Sequence, residues 1–297
     1  MHIRVAFYIF IAFIVVAFAT NQRNTAKKRQ LVHEALIAMA EEEEADDEIF
    51  TVYQDSLEAY FGPLEISLIK NYRKSYKKLK TDQDFQEFLR NANTLKTSIA
   101  GIFQKNAEKL KLEQKPIYEV KWFNEITPGM EVKVVGEGDN YNLFFDYKTL
   151  NQKAGETMGN ADNEYLKLLS ICYDEKNYFP TWLRKINGKQ FCSLLGTGKH
   201  FEILSQMDKA LEHGEVFNKE IHKVKSLVMS DILFARFYYK KIPSVIGELK
   251  DIKKKINLND EEVKLLETRI NYFNHDLTSP KIQFGLEELD ATLLSSR

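Results

Sequence analysis

What this sequence has least of is an imbalance of charge. Lys and Arg number 42 against 43 Asp and Glu, a formal net charge of -1. No overall field therefore draws the chain to nucleic acid or to an anionic lipid surface, and a charged partner has to be met locally. Cysteine is scarce, with two in 297 residues. No HExxH, CxxC or paired-glycine dinucleotide fingerprint occurs, and His33, His213, His222 and His275 form no pair at metal-ligand spacing. The expectation is accordingly no metal and no cofactor. There is also no repeat of fixed period, and no apolar run reaches the ~20 residues that cross a bilayer comfortably. With hydrophobic residues at 44% and charged residues at 29%, wholesale disorder and a polytopic membrane protein are both disfavoured.

The N-terminus carries the strongest signal. Val5 to Ala19 is an uninterrupted apolar run, preceded by Arg4 and closed by Ala17-Phe18-Ala19. Its length fits the ~7–15-residue apolar region of a secretory signal, and small residues at Ala17 and Ala19 suit a signal peptidase. Cleavage is expected between Ala19 and Thr20, placing the body in the periplasm, on the cell surface or outside the cell. The alternative is an uncleaved anchor: Arg23, Lys27, Lys28 and Arg29 follow the run, and positive charge on that flank would keep the body cytoplasmic and tethered.

Behind the leader (1–19), the patterning divides the chain into a helical region (20–115), a mixed region (116–199) and a second helical region (200–297) that can pack with the first. Stripes at three-and-four spacing run through Leu31 to Met39, Ile49 to Phe61, Leu68 to Leu79 and Phe85 to Leu110. Gly62-Pro63 breaks the second stripe, and Thr81 or Asp82 can cap the last. After Pro116 the period changes to alternation. Tyr118 to Trp122, Met130 to Val134 and Tyr141 to Tyr147 read as a three-stranded meander, Asn151 to Asn160 as a polar loop and Asp162 to Glu175 as a short helix. Thr181 to Leu195 reads as a hairpin around Asn187-Gly188. Helical stripes return with Phe217 to Ala235, with a helix capped by Asn259 and Glu262, and with a last short helix bearing Leu286, Leu289 and Leu293. The fold class is mainly α with a small antiparallel β-sheet inserted mid-chain (α+β), its N- and C-terminal parts bundle-like.

Several patterns suggest chemistry, and each has a plainer reading. Cys172 and Cys192 form a candidate disulfide if the body is exported, or else two unrelated buried thiols. Cys192 with His200 could be a thiol and its base, but no flanking signature accompanies them. Gly196-Thr197-Gly198-Lys199 resembles part of a phosphate loop, yet Ser193 and His200 stand where that motif needs Gly and Ser or Thr. The acidic run Glu41 to Glu48 reads as a solvated spacer rather than a calcium loop, and Asp139, Asn140 and Asn142 as turn formers. Tyr72, Arg73, Lys74, Tyr76, Lys77, Lys78 and Lys80 interleave rings and cations, with the tyrosines falling on the apolar stripe. No catalytic set coheres.

Two functional classes remain: an exported, non-catalytic binding or scaffold protein for another protein or a surface polymer, and an exported hydrolase with its site in 116–200. Neither involves nucleic acid, and the membrane enters only through an uncleaved N-terminal segment. The mass and N-terminal sequence of the protein from fractionated cells test the export step. A chain beginning at Thr20 outside the cytoplasm is expected, whereas an intact Met1 in the membrane fraction would support the tether.

Overall fold

The computed structural model describes residues 48–112, 121–134, 141–173, 179–186, 190–274 and 282–288. The leader, the Ala19/Thr20 junction and the stripe from Leu31 to Met39 lie outside the described residues, as does the acidic run up to Asp47. Among the described residues no helix is long and apolar enough to cross a membrane. The chain divides into two units, Met1–Ala59 and Tyr60–Arg297. The described part of the first, 48–59, is helical and contains most of α1 (Gln54–Tyr60).

The second unit is mainly α, with two small antiparallel two-stranded sheets mid-chain. It opens with α2 (Pro63–Lys77), where proline occupies the first turn and extended Gly62 precedes it. The next helix, α3 (Asp82–Leu112), begins with a reciprocal cap. Thr81 Oγ1 accepts from Asp84 N–H at 3.2 Å, and Asp84 Oδ2 accepts from Thr81 N–H at 3.0 Å. Its apolar stripe, Phe85, Phe88, Leu89, Ala92, Leu95, Ile99 and Phe103, is buried throughout, and Phe88 packs on Tyr72 of α2 with ring centroids 5.0 Å apart.

The expected strand over Tyr118 to Trp122 is not formed where the structure describes it. Trp122 lies in the short helix α4 (Lys121–Ile126), while 118–120 fall outside the described residues. The helix lets Phe123 and Ile126, one turn apart, both be fully buried. Phe123 then sits 5.6 Å from Phe61 and 5.3 Å from Phe103 between ring centroids. This aromatic cluster overrides the local alternation.

A turn at Thr127-Pro128-Gly129 leads into β1 (Met130–Val134), which pairs with β2 (Tyr141–Phe145) from Met130 opposite Phe145 to Val134 opposite Tyr141. At Gly129 φ is +82°, and a Cβ there would lie 2.5 Å from Leu150 Cδ2, so glycine is required by both backbone and space. The third expected strand ends at Phe145, because Asp146 turns the chain by accepting from Lys148 and Thr149 N–H at 3.1 and 3.2 Å. That cap starts α5 (Tyr147–Ala154), so the polar loop expected over Asn151 to Asn160 is confined to 155–160. The sheet is therefore a hairpin rather than a meander, and α6 (Ala161–Cys172) follows near its expected place.

β3 (Leu183–Ile186) and β4 (Gln190–Ser193) pair antiparallel, Ile186 opposite Gln190. Beyond them lie α7 (Lys199–Glu212), α8 (Asn218–Phe234), α9 (Ile242–Lys255) and α10 (Asp260–Asn274). Asn259 and Glu262 cap α10 reciprocally, each backbone N–H 2.9 Å from the other's side-chain oxygen. Phe237 and Tyr238, after α8, form isolated β-bridges with Gln283 and Ser193 respectively. Ser193 N–H donates to Phe237 O at 2.8 Å, and Tyr238 N–H donates to Gln283 O at 2.8 Å. The chain at Gln283 thus lies alongside, Leu286 is buried against Ile186 and Cys192, and a helical turn begins at Glu287; Leu289 and Leu293, the rest of the expected last helix, fall outside the described residues.

Phe123→Ala is expected to cost about 3–5 kcal/mol by leaving a cavity in the aromatic cluster. Denaturant unfolding of the full chain checks this, and a loss below about 1 kcal/mol would mean that the cluster does not hold α4.

Candidate functional site

Polar side chains converge in the chain between β4 and α7. Gly196 and Gly198 adopt φ of +97° and +87°, and a Cβ on Gly196 would come within 3.0 Å of Val245 N. The turn therefore lies directly against α9. From α9, the buried carboxylate of Glu248 reaches into it. Gly196 and Gly198 N–H donate to Oε2, the latter at 2.9 Å, and Phe201 N–H donates to Oε1 at 2.9 Å. These amides open α7, where the helix dipole also favours a negative charge. The loop whose glycines resemble a phosphate cradle does hold an oxyanion, and that oxyanion is the chain's own.

A second group lies beside it in sequence. Ser193 and His200 are buried, and both bond to Asp231 of α8. His200 Nε2 lies 2.7 Å from Asp231 Oδ2, and the Ser193 hydroxyl donates to the same oxygen at 2.5 Å. Because an ionised carboxylate only accepts, the imidazole proton is assigned to Nε2. Nδ1 is buried and has no hydrogen-bond partner among the described residues. Ser193 Oγ in turn accepts from Leu195 N–H at 3.2 Å. One carboxylate thus ties together β4, α7 and α8.

The residue types are those of a hydrolytic triad, but the connectivity is not. Nucleophilic catalysis needs the base on the nucleophile and the acid behind the base. Here the acid stands between the two, so no described hydrogen bond carries the Ser193 proton to His200.

Cys172 ends α6 and Cys192 lies in β4; both are buried and no disulfide joins them. Burial pushes the Cys172 thiol up to about 12, against the smaller opposing effect of Lys199. At neutral pH the free thiol therefore keeps its proton. Among the described residues no group of three or more His, Cys, Asp or Glu could hold a metal. Tyr72 is buried and donates to Pro128 O at 2.6 Å, and Tyr76 packs edge-on against Phe88, so the ring-and-cation stripe supports the core. Asn142 lies within β2 opposite Lys133 rather than in the hairpin loop, whereas Asp139 and Asn140 lie outside the described residues. His213 caps the end of α7, and His222 bonds Asn218 O at 2.7 Å; His33 and His275 are outside the described residues. An open groove of about 520 Å³ lies at the ends of α7 and α9, lined by Asp208, Glu212, Lys254 and Lys255 among others, but Asp208 is already bonded to Asn257 N–H at 2.8 Å.

Asp231 and Glu248 are the residues that sequence reasoning missed. Each is an acid set into a buried stripe, Asp231 between Val228 and Ile232, Glu248 between Val245 and Ile252. Acid inside an apolar face, opposite a turn rich in glycine, was the available signal. Comparison with protein-family models, curated proteins and solved structures yields no match.

Glu248→Ala is expected to cost about 3 kcal/mol or more, since buried N–H donors are left without an acceptor. Glu248→Gln, which keeps one acceptor oxygen, is expected to cost less. Equilibrium unfolding of the two variants gives that order, and equal, small losses would show the amides to be satisfied without Glu248.

Proposed function

We propose that this chain is an exported cell-envelope or secreted protein that works by binding, as a non-catalytic scaffold for another protein or a surface polymer. The observation that carries this reading is the order of the Ser193, Asp231 and His200 contacts, with the acid in the middle and both Ser193 and His200 buried. Polar groups of the catalytic type are consumed in holding β4, α7 and α8 together. The Glu248 carboxylate likewise consumes the amides that would otherwise receive an anion. Export rests on the Val5–Ala19 run and its Ala-Phe-Ala ending.

The second reading, an exported hydrolase with its site in 116–200, draws on the same proximity of Ser193 to His200 through Asp231. It requires a rearrangement that brings the imidazole onto the hydroxyl. A panel of chromogenic esters, peptides and glycosides separates the two. The full chain and Ser193→Ala are expected to give no turnover above the blank, while the protein from an envelope fraction retains the same bound component with either. Turnover by the native chain that falls by about 100-fold or more in Ser193→Ala, with folding intact, would establish the hydrolase instead.

A further inference from the structure

The chain as a whole is nearly neutral, but the β3–β4 hairpin is one-sided in charge. Between Glu175 and Glu202 the sequence has no acid, and Arg184, Lys185 and Lys189 fall in that stretch. The strand register separates the hairpin into two faces. Ile186 and Cys192 point to one and are buried with Leu286, while Arg184 at the open end of that face lies over Tyr239, 4.8 Å from the ring centroid. Lys185 and Phe191, directly opposite each other, point to the other face, and both are exposed.

Phe191 remains 46% exposed even though its ring has a partner. Phe179, from the chain that leads into β3, stacks on it with centroids 4.9 Å apart and planes inclined by 24°. The pair is thus a fixed, flat apolar surface rather than a single loose ring. Beside it, the Lys185 side chain has no ion pair or hydrogen bond among the described residues. Acids from the segments packed on the hairpin are engaged elsewhere, Asp231 by Ser193 and His200, and Glu287 by Lys240.

Apolar surface of this kind is covered best by another flat apolar face, and the unpaired cation selects one with a negative charge at its edge. A sugar ring bearing a carboxylate has both, because its axial C–H bonds form an apolar face that packs on an aromatic one. A lipid surface fits less well: the residues joining the strands, Asn187, Gly188 and Lys189, are polar in sequence, so the hairpin has no apolar tip to insert. A single-stranded nucleic acid carries a phosphate at every nucleotide and is held along a longer basic track than these few cations make.

Resting on the reading of this chain as an exported binder of a surface polymer, we propose that the Lys185 and Phe191 face of the β3–β4 hairpin, with Phe179 stacked on Phe191, is a docking site for an acidic polysaccharide. A sugar ring packs on the phenyl pair and its carboxylate meets the Lys185 ammonium.

Native electrophoresis of the full chain through gels containing alginate, polygalacturonate or neutral dextran tests the site, with single-stranded DNA and phosphatidylglycerol vesicles as competitors. Retardation is expected from the two polyuronates and not from dextran, and it weakens as salt is added. Phe191→Ala is expected to weaken the apparent affinity about tenfold, while Phe191→Trp, which keeps a flat ring, retains it. Lys185→Gln is expected to weaken binding and reduce its salt dependence, and it serves if the Phe191 variants do not fold. Lys250→Gln, the same loss of charge at an exposed residue of α9, is expected to change nothing. Absence of retardation by either polyuronate, an equal loss in Lys250→Gln, or stronger binding to the DNA or the vesicles would overturn the proposal. Without retardation a scaffold for another protein still stands, whereas turnover in the chromogenic panel removes the scaffold reading and leaves a retardation lost in Phe191→Ala intact.

Discussion

The carboxylate of Glu248 is buried, and a buried charge is tolerated only where it is fully bonded. Its bonds go to the backbone of the turn that joins the β3–β4 hairpin to α7, so the charge and the turn solve each other's problem. The turn needs an acceptor for amides that neither helix nor strand can use, and the acid needs donors. Much of the C-terminal architecture is arranged around that exchange. Gly196 must approach the backbone of α9 closely, which fixes where α9 crosses, while His200, the next residue but one after Gly198, is directed at Asp231 on α8. Two acids from two successive helices therefore grip the same short stretch of chain from either side of its start.

The β3–β4 hairpin depends on the same grip. Ser193 takes part in three relations at once: it ends β4, its hydroxyl bonds Asp231, and its backbone pairs with the segment near Tyr238. That segment then pairs with the chain around Gln283. Tyr238 is held from its other side by Arg269 of α10, which bonds both its hydroxyl and Ala235 O, and by the stacked ring of Phe284 at 4.7 Å. A polar contact at one turn is in this way continuous with the aromatic packing of the C-terminal helices.

How much of this was legible in the sequence varied with how local its cause is. Thr81–Asp84 and Asn259–Glu262 are caps whose partners lie within one turn, and they were readable. The apolar faces of α3 and α8 were readable for the same reason, as period alone defines them. Lys121–Ile126 was not, because a helix there is justified only by Phe61 and Phe103, which come from distant parts of the chain. α5 was hidden by its polar composition, although Asp146 is an ordinary cap for it. At the candidate site, His200 and the glycine turn stood out, but the residues that give them their roles, Asp231 and Glu248, look like surface acids until the helices bearing them are packed. The bond from Asp162 N–H to the Asp82 side chain, across 80 residues of sequence, had no local signature at all.

These buried polar groups act as structural fastenings, with Glu248 the central one. Residue-resolved hydrogen exchange of the native chain at the Gly196, Gly198 and Phe201 amides tests this most directly. If Glu248 holds them, they exchange only through unfolding of the whole unit, with the same opening free energy as the cores of α7 and α9. Exchange through a much smaller local opening would mean that the turn releases the carboxylate readily, and the fold would then have to be held from somewhere else.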